Sequence, residues 1–313
     1  MVKKRVVVSG CAGFIGYNLC ENLLKDNSLK VIGLDNFYTG SEHSVSLLKK
    51  KKNFEFILHD IVSPIEIKAD EIYHLASPAS PVFYQKNPIR TLKTNFIGTM
   101  NILGMAKKFK SKVLLSSTSE VYGDPLVHPQ KESYWGNVNP IGIRACYDEG
   151  KRIAETLMFE YHRNHNVKIK VCRIFNTYGP FMMKDDGRVI SNFINQAIEN
   201  KDLTLFGDGN QTRSFCYVSD MVEGLIKMMN SPDDFTGPVN LGNDDERSVK
   251  DIAKTIISLT KSKSKIIRKR LPVDDPCRRK PDLTLAKKHL GFRADVKLED
   301  GLIQTISYFR SLK

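Results

Sequence analysis

The chain has 313 residues, 41% hydrophobic and 27% charged, with a formal net charge of +13. That size supports an ample core in one large or two interlocked domains, and no run approaches the roughly 20 apolar residues of a membrane span, so a soluble, cytoplasmic protein is expected. Cys11, Cys20, Cys146, Cys172, Cys216 and Cys277 are scattered without a Cys-x-x-Cys pair, which argues against a metal site or a disulfide framework. The basic runs at 49–52 and 261–270 lack interleaved aromatics, so neither nucleic acid nor a membrane is expected as a partner.

Along the chain, Val6, Val7 and Val8 make a short buried strand that runs into Gly10, Gly13 and Gly16. Leu19, Leu23 and Leu24 mark the helix that follows. A second strand, 31–34, ends at Asp35; a third, 54–58, precedes His59 and Asp60; a fourth covers 71–75. Helical patterning over 88–108 leads to a strand at 113–115 that opens into Ser116, Ser117, Thr118, Ser119 and Glu120. A helix over 145–165 and a strand over 168–173 then reach Phe175 and Asn176. Strands alternating with helices predict an α/β fold, a Rossmann-type doubly wound parallel sheet. After Gly179 and Pro180 the pattern loosens. Helices near 189–200 and 248–260 predict a smaller, mostly helical C-terminal lobe, with a return to the sheet near 214–242. The expected domains are 1–176 with 210–242 for a dinucleotide, and 177–209 with 243–313 for the lobe.

A glycine-rich turn between a buried strand and an apolar helix is a natural seat for a dinucleotide pyrophosphate. Asp35, at the end of the next strand, suits the adenosine ribose hydroxyls and would repel a 2′-phosphate, which favours NAD over NADP. Asp60 is placed near adenine. Tyr147 and Lys151, at i and i+4, share one helix face, where the ammonium favours ionisation of a phenol whose ordinary pKa is about 10. Thr118 stands at the C-terminal end of a sheet strand, where ligands of doubly wound sheets gather. Together these three suit proton removal from a sugar hydroxyl while hydride leaves the same carbon.

The glycine spacing, Thr118 and the Tyr147–Lys151 pair resemble the extended short-chain dehydrogenase/reductases, the sugar-nucleotide epimerases and dehydratases. Within them the chain looks like the UDP-glucuronate decarboxylases, or UDP-xylose synthases. The likeness runs nearly end to end, through the segments 74–81, 117–125, 128–130, 134–142, 173–180, 186–189, 207–215 and 278–282. It implies NAD contacts from Gly10, Gly13, Phe14, Ile15, Gly16, Asp35, Asn36, Asp60, Ile61, Leu75, Ala76, Ser77, Tyr147 and Lys151. It implies substrate contacts from Pro81, Tyr84, Gln85, Glu120, Asn176, Arg188, Val189, Phe206, Gln211, Arg213 and Arg279. The implied catalytic set is Tyr147, Lys151, Thr118, Ser119, Glu120 and Arg279, with no metal.

Dehydratases of this superfamily have Asp where Ser119 stands, and that Asp protonates a departing hydroxyl. Ser119 cannot, so the resemblance points to loss of carbon dioxide. Arg279, with Arg278 beside it, matches the arginine that engages the substrate carboxylate, a task suited to a bidentate guanidinium. Three departures stand out: Cys11 where glycine is common, Phe206 where tyrosine is frequent, and the apolar stretch 181–183 in place of a more polar one. The implied reaction turns UDP-glucuronate into UDP-xylose in a homodimer that pairs through helices 88–108 and 145–165. Release of the 4-keto pentose, 4-epimerisation and 4,6-dehydration are the alternative outcomes.

Overall fold

The structure, a computed structural model, describes residues 3–270 and 278–312; Cys277 lies outside them. Apolar runs bounded by turns fold as β1 (Lys4–Ser9), α1 (Phe14–Leu23), β2 (Leu29–Asp35), α2 (Glu42–Leu48), β3 (Phe54–Leu58) and β4 (Glu71–His74). The short helices α3 (Pro81–Tyr84) and α4 (Pro88–Lys93) each begin at a proline, which is preorganised for a first helical turn. A π-helical turn, Thr94–Gly98, joins α4 to α5 (Thr99–Phe109), so the helix expected over 88–108 has a widened middle. Packing around this turn is close: a Cβ at Gly98 would lie 2.5 Å from Ile61, and one at Gly150 would lie 3.1 Å from the Asn95 amide. β5 (Lys112–Thr118), α6 (Ala145–His165) and β6 (Ile169–Ile174) complete the first part.

Beyond them come β7 (Thr177–Tyr178), α7 (Val189–Ile198), β8 (Leu203–Phe206), β9 (Thr212–Ser214), β10 (Cys216–Tyr217), α8 (Val218–Asn230) and β11 (Val239–Leu241). The chain ends with β12 (Glu246–Ser248), α9 (Val249–Thr260), β13 (Ile266–Lys269), β14 (Arg278–Arg279), α10 (Thr284–Leu290) and α11 (Leu298–Ser311).

One parallel sheet runs in the order β11-β6-β5-β4-β1-β2-β3. Its strands alternate faces as pleated backbone must. Val6 and Val8 pack with Leu19 and Leu23 of α1 and Met221 and Leu225 of α8, whereas Val7 packs with Leu103 of α5 and Ala154 and Met158 of α6. The result is a three-layer α/β sandwich with both faces covered, as parallel sheets require. The strand order reverses beside β1, and ligands of such sheets bind at the carboxyl ends of the strands there. Short strands accompany the lobe helices: β8 pairs with β13, and β9 lies between β12 and β14. This last trio carries Arg213 and Arg279 side by side. Among the described residues no helix is long and apolar enough to cross a membrane, and no cluster of residues suited to a metal occurs.

Candidate active site

Two adjoining cavities open along the carboxyl ends of the sheet. The smaller, about 80 Å³, is lined by Gly10, Gly13, Asp35, Asn36, Asp60, Ile61, Leu75, Ala76 and Ser77. The larger, about 520 Å³, shares Gly10, Gly13, Leu75 and Ser77 with it and runs on past Phe14, Ile15 and Gly16 to Thr118, Ser119, Glu120, Tyr147 and Lys151. Its far end is lined by Pro81, Tyr84, Gln85, Asn176, Arg188, Val189, Phe206, Gln211, Arg213 and Arg279. Every residue that the sequence marked for the site therefore lines one cavity or the other.

The glycines are required by close approach. Gly10 has φ +80° and a Cβ there would sit 2.8 Å from the Ala76 amide nitrogen, while a Cβ at Gly16 would strike the Gly10 carbonyl at 2.0 Å. Gly13 caps α1 without any side-chain hydrogen bond, which leaves first-turn amides of the helix available to an anion. At the end of β2, Asp35 accepts from the Ala12 amide (3.0 Å) and the Phe37 amide (2.8 Å). Burial raises its pKa from the ordinary carboxylate value, against the pull of those amides. A glycine turn with open helix amides, followed by a fixed ribose-side carboxylate, fits a dinucleotide. Asp60 accepts from the Val62 amide at 3.1 Å and pairs with Arg90, whose guanidinium lies 5.6 Å from the Tyr38 ring centre.

Tyr147 and Lys151 project from the first turns of α6 and are both buried. The phenol lines the same cavity as Thr118, and its ring stacks on Tyr84 with centres 5.1 Å apart and planes at 4°. Lys151 Nζ donates to the Ser116 carbonyl at 2.9 Å. Burial brings the ammonium down to about 7, while Glu155, one turn further on, pulls it up. The Tyr147 phenol is pushed up to about 12, by burial first and the Glu120 charge second, with the Thr118 hydroxyl opposing. The expected lowering of the phenol by Lys151 is thus not found in this state. The lysine lies 5.9 Å from the ring centre and donates to the Ser116 carbonyl.

Glu120 follows Thr118 in a short 3₁₀ turn, where the Thr118 hydroxyl accepts from the Glu120 amide at 3.2 Å. Its carboxylate is clasped by Arg279, with Nη2 to Oε2 at 2.9 Å, and by Arg144, with Nη2 to Oε2 at 2.6 Å. Burial alone would raise this acid, but Arg279 and Arg144 outweigh it and bring Glu120 down to about 2. Ser119 is buried beside it. Arg278, the neighbour that sequence could not separate from Arg279, is exposed, whereas Arg279 is 5% exposed and faces the cavity.

The remaining predicted residues occupy the lobe side. Arg188 precedes α7 as its N-cap, with Nε 3.3 Å from Asp186, and Val189 begins the helix. Gln211 donates to the Phe206 carbonyl at 2.7 Å, and the Phe206 side chain is half exposed beside it. Arg213 donates to the Thr212 carbonyl at 2.8 Å, and the Asn176 carbonyl accepts from the Cys216 amide at 2.8 Å. Arg144 and Arg90 were not foreseen. An arginine three residues before Tyr147, at a helix N-terminus where a cation is unfavourable, is the signal by which Arg144 could have been found. Arg90 gave none, because its partner lies 30 positions away.

Residues 6–242 match the profile of the NAD dependent epimerase/dehydratase family. The chain belongs to this family. Among curated proteins, the chain is 54% identical over 298 residues to UDP-glucuronic acid decarboxylase 5 of Arabidopsis thaliana, covering 95% of this chain and 87% of the other. It is 53% identical to UDP-glucuronic acid decarboxylase 1 of Xenopus tropicalis, over 98% of this chain and 72% of that one. Among solved structures, UDP-glucuronic acid 4-epimerase from Bacillus cereus, in complex with UDP-glucuronic acid and NAD, superposes with a TM-score of 0.90 at 28% identity, covering 99% of this chain and 100% of that one. A variant of that epimerase, with a fluorinated UDP-glucuronic acid analogue and NAD, reaches 0.91 at 28% identity, with coverage of 99% and 100%.

Proposed function

We propose that this chain decarboxylates UDP-glucuronate to UDP-xylose, releasing carbon dioxide, with NAD retained throughout the cycle. The observation that carries this reading is the arginine-flanked end of the cavity. Arg279 and Arg144 converge on Glu120, which lines the cavity with Thr118 and Tyr147, and Ser119 stands where an acid for expelling water would be needed. Relatives more than half identical bear the decarboxylase name.

Gly10, Gly13 and the first turn of α1 hold the cofactor pyrophosphate, Asp35 and Asn36 its ribose, and Asp60 with Ile61 its adenine. NAD+ supplies the two-electron acceptor that takes hydride from the C4 carbon and later returns it. Arg213, Arg188 and Gln211 bind the uridine diphosphate, and Phe206 offers its ring face to the base. Arg279, which Glu120 holds through Nη1 and Nη2, turns its remaining N–H groups to the sugar carboxylate. Tyr147 removes the C4 hydroxyl proton while Thr118 orients that hydroxyl, leaving a ketone whose carboxylate is β to the carbonyl. The C5–carboxyl bond then breaks, carbon dioxide departs, and the electron pair passes to the ketone oxygen, where Tyr147 and Thr118 stabilise the enolate. A water held by Glu120 and Ser119 passes a proton drawn from solvent to C5, so that no hydroxide is left behind, and Tyr147 returns its proton to the C4 oxygen.

The cycle runs in a homodimer in the cytoplasm. Exposed Ile89, Leu92, Phe96 and Met100 on the α4–α5 side, with Ile153 on α6, form an apolar stripe suited to a second copy. Five described cysteines are free and buried, as a reducing compartment favours.

The test is to incubate the purified protein with UDP-glucuronate and no added cofactor, and to identify products by mass spectrometry and NMR. UDP-xylose and carbon dioxide in equal amounts are expected. A C4-epimer formed without gas would overturn the reading, and a 4-keto pentose accumulating with reduced cofactor would show that the cycle stops after carbon dioxide loss.

A further inference from the structure

Beneath the cavity floor runs a buried polar chain that none of the catalytic steps uses. It begins at Glu155, two turns beyond Tyr147 on α6. Arg173 of β6 binds this carboxylate in bidentate fashion, Nε to Oε1 at 2.9 Å and Nη2 to Oε2 at 2.7 Å, and the Ser117 hydroxyl of β5 donates to the same group. The other arm of Arg173 donates to the Tyr122 hydroxyl at 3.0 Å and to the Glu132 carbonyl at 3.1 Å. Tyr122 in turn donates to the Asn240 side-chain oxygen at 2.8 Å. Asn240, fully buried on β11, sends its amide nitrogen to the carbonyls of Gln130 (3.0 Å) and Asp282 (3.2 Å). Gln130 finally braces the segment that carries Arg279: its side chain accepts from the Lys280 amide at 2.9 Å, its main-chain amide donates to the Lys280 carbonyl at 2.9 Å, and its carbonyl accepts from the Asp282 amide at 2.7 Å.

We propose that Tyr122 and Asn240 are positioning residues that hold Arg279 in register with the Tyr147–Lys151 helix. Besides the Glu120 carboxylate that holds its side chain, the main chain around Arg279 has two supports. One is the pairing of β14 with β9, which places it beside Arg213; this support belongs to the lobe. The other is the Gln130 brace on residues 280–282, and through Asn240, Tyr122 and Arg173 that brace ends on α6 itself. The second support therefore sets the distance between a guanidinium that grips the substrate and the phenol that reacts with it. Buried networks of this kind resist partial disruption, because each lost partner strands another group without water. A misplacement of about 1 Å between grip and base is enough to cost two orders of magnitude in rate.

The proposal rests on the reading of Arg279 as the carboxylate ligand, and the experiment separates the two. Binding of UDP, UDP-glucose and UDP-glucuronate is measured by calorimetry in a Tyr147→Phe background, which does not consume the substrate, alone and combined with Tyr122→Phe, Asn240→Leu or Arg279→Gln, while kcat is measured with Tyr147 intact. Tyr122→Phe deletes one hydroxyl and keeps the ring that lies 4.8 Å from the Arg173 guanidinium. The preference for UDP-glucuronate over UDP-glucose is expected to fall at least fivefold in Tyr122→Phe and at least tenfold in Asn240→Leu, with UDP affinity held within twofold and kcat reduced more than the glucuronate preference. A structural role alone would weaken all three ligands in step, and that result overturns the proposal, as does an unchanged preference in Tyr122→Phe. Tyr122→Phe decides the matter if Asn240→Leu does not fold. If Arg279→Gln itself keeps the glucuronate preference, the carboxylate assignment falls and takes the positioning role with it. If Arg279→Gln loses the preference and Tyr122→Phe keeps it, the assignment stands and only the network role is refuted.

Discussion

At the scale of single residues, the chemistry depends on one shared proton. In the unliganded pocket the Lys151 ammonium is held near 7 and the Tyr147 phenol near 12. Between those values the pair carries a single proton, which rests on the phenol. Passing it to Lys151 yields the phenolate with no net release, so the reactive form is a constant fraction of the pair throughout that interval. Below about 7 the lysine takes a second proton, which must be lost before the phenolate can form. The value of kcat/KM, which reports groups of the free enzyme, should therefore rise with pH to a plateau whose midpoint belongs to the pair and which the charge of the retained NAD+ holds at or below about 7. Lys151→Met leaves the phenol to titrate by itself and should drive the midpoint upward, out of the neutral range. A limb that stays near 7 in Lys151→Met would show that another group is titrating. Tyr147→Phe should abolish cofactor reduction and carbon dioxide release together, by roughly 10²- to 10⁴-fold, measured as product formed and as nicotinamide absorbance.

At the scale of elements, legibility followed the locality of the cause. The central strands were readable because Val6, Val7, Val8 and Val31 through Leu34 are buried on both faces, which makes a run of apolar residues the whole signal. The 21-residue helix α6 matched its expected limits, since Asn166 ends it in a left-handed conformation of the kind asparagine tolerates. The π turn at Thr94–Gly98 was not readable: no local pattern marks it, and the neighbours packed against it, Ile61 and Gly150, are distant in sequence. The two- to four-residue strands of the lobe pair across long separations, as Leu203 does with Ile266, and leave no local period. The site divides the same way. Gly10, Thr118 and Tyr147 announce themselves by spacing, whereas the clasp of Arg144 on Glu120 and the brace of Asn240 on Asp282 are products of folding. The stripe formed by Leu92, Phe96 and Met100, each 38–40% exposed, also belongs to this scale. Its spacing of four puts the three on one helical side, where a solvated helix would be polar. Phe96→Asp together with Met100→Glu should halve the mass found by sedimentation at micromolar concentration. An unaltered mass would place the contact elsewhere.

For the whole molecule, the histidine that joins sheet to helix layer sets the response to acid. His74, at the end of β4, is buried, with Nδ1 2.8 Å from the Ser9 hydroxyl and Nε2 3.1 Å from the Thr99 hydroxyl of α5. Burial, aided by the Lys151 charge, brings its pKa from 6.5 to about 3, so the imidazole is neutral in the fold and binds its proton only on unfolding. Between 3 and 6.5 the unfolded chain holds more protons at this position, and stability must fall as pH falls through that window. From pH 6.5 to pH 5 the loss from this one group amounts to about 1.5 kcal/mol. Asp148 acts in the opposite sense: burial and the Glu120 charge raise it to about 7, so its protonation favours the fold as pH drops. The net slope of the wild type is thus a difference between opposing groups, and a variant is needed to isolate one of them. His74→Gln keeps hydrogen-bonding capacity toward Ser9 and Thr99 but cannot titrate. Denaturant unfolding of both proteins at pH 6.5 and pH 5 should show the gap in unfolding free energy narrowing by about 1.5 kcal/mol in favour of the variant. A gap that stays constant across that interval would mean that His74 is already charged in the native fold.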